Sequence, residues 1–105
     1  MSIHKNSKIN EEVNNAIKMI GDDHILCIIA NLNGRSLRFN ELQRALNDIN
    51  PTTLADRLKR LELEGVVVKE KETIDKLSVV YALTEKGKGI LPIVREFEKF
   101  AEKFL

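Results

Sequence analysis

The stretch Asn50 to Gly65, NPTTLADRLKRLELEG, constrains the chain most, because its residues mark both ends of a helix. Asn50 can accept from the first free amides, and Pro51 suits the first helical position, where no backbone donor is needed. Gly65 supplies the left-handed stop. At about 100° per residue, Leu54, Leu58 and Leu61 form one apolar stripe. Thr52, Thr53, Asp56, Lys59 and Arg60 point the other way, with Arg57 on the flank. Any surface helix carries some Lys and Arg, so this face alone decides nothing. Small hydroxyls in the first turn followed by cations on the same face are, however, what a helix needs to enter a DNA major groove. The threonines fit close to base edges, and Arg60 can reach a guanine or a phosphate. Leu63 points outward and has no role in either reading.

What flanks this helix decides between the two. Residues 1–8 are polar and expected to fray. Val13, Ala16, Ile17 and Ile20 recur at helical spacing and stop at Gly21, which predicts a helix over 10–20. Asp22 or Asp23 can cap a second helix, HILCIIANLN, that ends at Gly34. Being apolar on nearly every side, it belongs in the middle of the core, with Cys27 buried and inert. Ser36 to Phe39 is long enough only for a brief strand. Asn40 is the expected cap of a third helix that turns Leu42, Ala45 and Leu46 inward, and Asn47 to Ile49 form a tight connection. Two short helices so joined, over 40–65, make a helix-turn-helix.

After Gly65 the period changes to two. VVVKEKE and SVVYALT predict a hairpin over 66–83, with Asp75 and Lys76 at its tip. Lys71 and Lys76 would reach the DNA backbone or minor groove, although Glu70, Glu72 and Asp75 leave this wing only weakly basic. The expected architecture is α+β, mainly α: one winged helix-turn-helix domain over 1–105. Thr84 starts the last helix, which Pro92 makes begin properly or kink near Leu91. From there Ile93, Val94, Phe97, Phe100, Ala101, Phe104 and Leu105 form an apolar stripe that a lone C-terminal helix has no use for. Together with Val13, Ile17 and Ile20 it predicts a homodimer seam made by helices 10–20 and 90–105. A twofold dimer would carry two such helices to two half-sites.

Composition sharpens this reading. The net charge is only +1, yet residues 34–60 carry +3, and five of their six cations are arginine, which grips guanine and phosphate bidentately. No apolar run approaches the ~20 residues of a membrane span, and residues 1–12 contain no signal-peptide core. One cysteine excludes an internal disulfide and makes a reducing cytoplasm the default location. His24 and Cys27 stand three apart, but His4 is the only other histidine, so no four-ligand metal site is expected. There is no nucleophile–base pair and no glycine-rich phosphate loop, which excludes an enzyme and gives no reason to expect a cofactor. The rival is a winged helix that contacts protein in a transcription or chromosome-handling complex.

By these residues the chain resembles the HxlR-type winged helix-turn-helix transcriptional regulators, relatives of the MarR type. The resemblance rests on Val13, Ala16, Ile20 and Gly21, then on Arg38-Phe39-Asn40-Glu41-Leu42. Ile49, Leu54, Leu58, Leu61, Glu62, Gly65, Val66 and Val67 follow in register, and Tyr81, Leu83, Thr84, Gly87, Leu91 and Pro92 complete it. It covers about residues 11 to 95. It implies a homodimer that pairs through its first and last helices and binds double-stranded DNA at inverted repeats. Two positions depart from the family pattern. The N-terminal cysteine that senses oxidants in some members falls at Glu11, and the family's Lys-Trp pair is Asp23-His24. Sensing by the usual thiol is therefore not expected. A small-molecule effector between the dimer helices and the core is compatible with the fold, but no residue identifies one.

Overall fold

The structure, a computed structural model, describes residues 7–71 and 78–105, with side chains from residue 10 onward. At its centre is α2 (Asp23–Asn31). Ile25, Ile28 and Ile29 and the C-cap residue Leu32 share one stripe and are at most 1% exposed. Asp22 caps the helix, its Oδ1 accepting the Ile25 amide at 3.1 Å. The helix stops at Asn31, short of the expected Gly34, where a φ of +75° carries the chain away. Cys27 is exposed, not buried. It stands about 200° round the helix from Ile25, on the side that faces away from the isoleucine stripe.

Around α2 pack α1 (Ser7–Ile20), α3 (Phe39–Ala45), α4 (Pro51–Leu63) and α6 (Leu91–Phe104). α1 begins at Ser7 rather than Asn10, and Asn10 itself is buried, its Nδ2 without a hydrogen-bond partner among the described residues. α3 begins at Phe39, so Asn40 is not its cap. Arg38 holds that position in extended backbone, and Glu41 reaches back from the third helical residue to accept the Arg38 amide at 2.8 Å. Phe39, Leu42 and Leu46 define the inward side of α3, which leaves Ala45 exposed on its rim rather than in the core.

The connection to α4 is tight, as its residues suggest. Asn47 and Asp48 both adopt left-handed backbone, with φ of 59° and 57°. The Asp48 amide donates to the Gln43 carbonyl at 2.9 Å, and Gln43 Nε2 donates to the Ile49 carbonyl at 2.9 Å. Asn50 Oδ1 then accepts the amides of Thr52 and Thr53 at 2.8 and 3.2 Å. Leu54, Leu58 and Leu61 are buried, and Gly65 ends the helix at φ +75°. Both predicted ends of α4 are met.

β1 (Val67–Lys71) and β2 (Val79–Leu83) pair antiparallel, Val67 opposite Leu83 and Lys71 opposite Val79. The brief strand expected at 36–39 reduces to Leu37, which exchanges main-chain hydrogen bonds with Tyr81 at 3.0 and 2.7 Å. The predicted tip, Lys76 included, lies outside the described residues. Thr84 caps a single turn, α5 (Glu85–Lys88), accepting the Gly87 amide at 3.1 Å while its hydroxyl donates to the Gly65 carbonyl. Gly89 and Ile90 separate this turn from α6, which has Pro92 in its first turn. The fold is mainly helical with a two-stranded sheet, a winged helix-turn-helix as expected. No described helix is long and apolar enough to cross a membrane.

Gly87 is buried, and a Cβ there would meet the Val66 carbonyl oxygen and the Leu83 side chain. Gly87→Ala is therefore expected to destabilise the fold by about 1–3 kcal/mol in urea denaturation. An unchanged midpoint would mean that α5 does not sit on Val66.

Candidate nucleic-acid interface

Burial of one side of α4 determines what the other side offers. With Leu54, Leu58 and Leu61 inward, Thr52, Asp56, Lys59 and Arg60 are exposed and Thr53 is half-buried. Thr52, Asp56, Lys59 and Leu63 follow one another at spacings of four, three and four, which lines them along the outermost ridge. Leu63 ends that ridge 81% exposed. Arg38 and Arg44 are exposed at opposite ends of α3, and Lys71 is exposed at the end of β1. The cations predicted to face DNA thus come from the helix-turn-helix and the described part of the wing, except for Arg57.

Arg57 turns inward. Its Nε donates to Asp22 Oδ2 at 2.9 Å, and the two side chains are 31% and 20% exposed. One carboxylate therefore does two things: one oxygen caps α2 and the other holds α4. Burial alone would raise the Asp22 pKa. The hydrogen bond from the Ile25 amide and the guanidinium of Arg57 outweigh it, so the carboxyl titrates below its ordinary value of 3.8. No local pattern announces this pair, since its members are 35 residues apart. Asp22, Asp23 and His24 are close enough to share a cation, and Cys27 is not part of that group. His4 lies outside the described residues.

The residues expected to form a dimer seam divide in two. Ile20 and Val94 pack against the core of their own chain. Val13, Ile17, Ile93, Phe97, Phe100 and Phe104 are exposed, Ile17 by 60% and Phe104 by 63%. Between α1 and α6 runs an apolar groove of ≈ 280 Å³, lined by Val13, Ile17, Ile20, Ile93 and Phe97. Further along α6, the rings of Phe100 and Phe104 lie 5.2 Å apart.

The family model for the HxlR-like helix-turn-helix matches residues 19–105. The chain is 34% identical over 90 residues to an uncharacterized HTH-type transcriptional regulator, YvaP of Bacillus subtilis (strain 168), covering 86% of this chain and 83% of that one. Its fold is similar to that of a putative transcriptional regulator of the MarR family from Porphyromonas gingivalis W83. There the TM-score is 0.80 at 33% identity, over 89% of this chain and 91% of that one. It is also similar to the reduced form of the transcriptional regulator YodB from B. subtilis, with a TM-score of 0.76 at 30% identity over 89% and 91% of the two chains.

The Asp22–Arg57 pair has a pH signature. Because folding lowers the Asp22 pKa, the stability it contributes is present above the ordinary carboxylate value and is lost as pH falls through the depressed one. Asp22→Asn keeps an acceptor for the Ile25 amide but removes the charge facing Arg57. It is expected to cost about 1 kcal/mol at pH 7, with the difference from wild type shrinking at pH 3. Denaturant titrations at the two pH values measure this, and an equal cost at both would rule out the charged pair.

Proposed function

Because this chain belongs to the HxlR-like helix-turn-helix family and so to a class of DNA-binding transcriptional regulators, we propose that it binds an inverted-repeat operator as a homodimer. In this reading α4 occupies the major groove of each half-site, and the protein works in the cytoplasm beside its DNA. The observation that carries the reading is α4 itself, capped at both ends and buried through its leucines, with Thr52, Thr53, Asp56 and Arg60 turned outward or to the flank. These four read base edges. Lys59, Arg38, Arg44, Lys71 and Lys76 meet phosphates, which position the protein without reading sequence. Arg57 braces α4 against Asp22 and is not assigned a phosphate.

The homodimer forms by α1 and α6 of one copy covering those of the other. The exposed phenylalanines and the apolar groove support this, since burying each ring contributes roughly 1.5–3 kcal/mol. A rival use of the fold, contact with another protein, is favoured by one feature, the exposed Leu63 on the outward ridge. The two readings differ in what charge reversal at Arg60 does: it abolishes operator binding in the first and spares partner binding in the second.

Fluorescence anisotropy against duplex from the protein's own upstream region, with a scrambled duplex as control, tests the reading. Specific binding should exceed the control by ~10³ or more at physiological salt. Equal, salt-labile binding to both would refute operator recognition. Arg60→Ala should cost about 1–3 kcal/mol and relax preference at one base pair, whereas Lys76→Ala should weaken both duplexes alike. Phe97→Glu should yield monomers in sedimentation velocity, and a persisting dimer would refute the α1–α6 seam.

A further inference from the structure

α1 has two faces. Val13, Ile17 and Ile20 lie along one, while Asn15 and Lys18 fall roughly 140–200° round the helix from Val13. Asn15 and Lys18 of that second face, with Ala16 and Met19 beside them, stand across a cleft of ≈ 270 Å³ from Arg60 and Glu64. Among the described residues some cations are engaged, while Arg44, Lys59, Lys69, Lys71 and Arg95 have side chains as free as those here. Arg57 is engaged by Asp22, Lys86 by the Glu64 carbonyl, Arg35 by the Asn31 carbonyl, Lys88 by Glu85 and Lys99 by Glu96. Among the described residues, the side chains of Lys18, Arg60 and Asn15 make no ion pair and no hydrogen bond. Two cations and an amide from two different helices thus converge on one water-accessible space with their donors unused.

We propose that this cleft seats a backbone phosphate of the bound DNA, with Lys18 as its cationic ligand and the Asn15 amide as its hydrogen-bond donor. The inference rests on α4 being the groove-reading helix. A major groove about 12 Å wide admits a helix about 10–12 Å across with little to spare, so whatever borders the flank of that helix lies beside the phosphates of the groove wall. Arg60 lies on the flank of α4 that faces α1, and the cleft begins there. The phosphodiester oxygens would take the Lys18 ammonium and the Asn15 amide, while Arg60 bounds the site and continues toward the base edges. Glu64 lines the same cleft and its carboxylate opposes an anion, which gives the proposal a sign to test. One helix then carries the dimer seam on one side and a DNA contact on the other, which fixes the spacing of the two phosphate sites in the dimer.

The test is anisotropy of the full-length protein with the upstream and scrambled duplexes over 0.05–0.3 M salt. Lys18→Gln should make the slope of log K against log salt shallower by about 0.9 and weaken both duplexes about eightfold at 0.1 M salt. Asn15→Ala should weaken both by a smaller factor, and Glu64→Gln should tighten both. Melting and sedimentation of Lys18→Gln should match wild type, because its exposed side chain holds nothing in the fold. If wild type binds but Lys18→Gln reproduces its slope and affinity, the phosphate seat is refuted while the regulator reading stands. If wild type binds neither duplex, both are refuted. Inorganic phosphate titrated into the free protein at constant ionic strength provides the remaining arm. Saturable NMR shifts at Asn15 and Lys18, together with duplex binding that Lys18→Gln leaves unchanged, would identify a free-anion site and overturn the assignment to DNA.

Discussion

Three leucines on α4, packed with the isoleucines of α2, hold the outward surface of this protein in place. Leu54, Leu58 and Leu61 belong to the same core cluster as Ile25, Ile28 and Ile29, and all six are at most 1% exposed. Each buried side chain of this size contributes roughly 1.5–3 kcal/mol, yet such packing is non-directional and by itself leaves a helix free to slide or roll slightly. The hydrogen bond from Arg57 to Asp22 supplies the missing direction. Its length of 2.9 Å joins the flank of α4 to the first turn of α2. The leucine stripe sets which side of α4 faces out, the charged pair holds it there, and the outward ridge inherits both.

Much of this was legible because it is local. The caps of α4, the stop at Gly65, the break before Pro92 and the change of period after Gly65 are each determined within a few residues, and the structure has them all. The readings that differ turn on what lies across space. Asn40 is a good cap in isolation, but Glu41 reaches back to Arg38 and starts α3 two residues earlier. Cys27 sits in an apolar run, and no run shows which of its sides has neighbours. Ala45 fits the inward period, yet only Phe39, Leu42 and Leu46 have the bulk and direction to reach the core. Arg57 could be recognised as a brace only by knowing that Asp22 arrives beside it.

The exposed row on α6 sets a second division, between what this chain satisfies alone and what it leaves open. Ile20 and Val94 close against their own core, and beyond them Ile17, Phe97 and Phe104 have nothing to cover them within the described residues. The one thiol of this chain, Cys27, is exposed on α2.

The turn between α3 and α4 governs how such a protein can change over evolutionary time. Asn47 and Asp48 hold left-handed backbone that costs most residues roughly 1–2 kcal/mol and these two less, and Gln43 ties the turn at two points. Substitution along the outward ridge leaves that turn untouched, because none of the ridge side chains takes part in its hydrogen bonds. Inserting a single residue there is another matter. It would disturb the hydrogen bonds that Gln43 makes to Asp48 and to Ile49, and with them the way α3 leads into α4. The ridge can thus change its side chains without touching the backbone that aims it, while a change in the length of the turn acts on the aim itself.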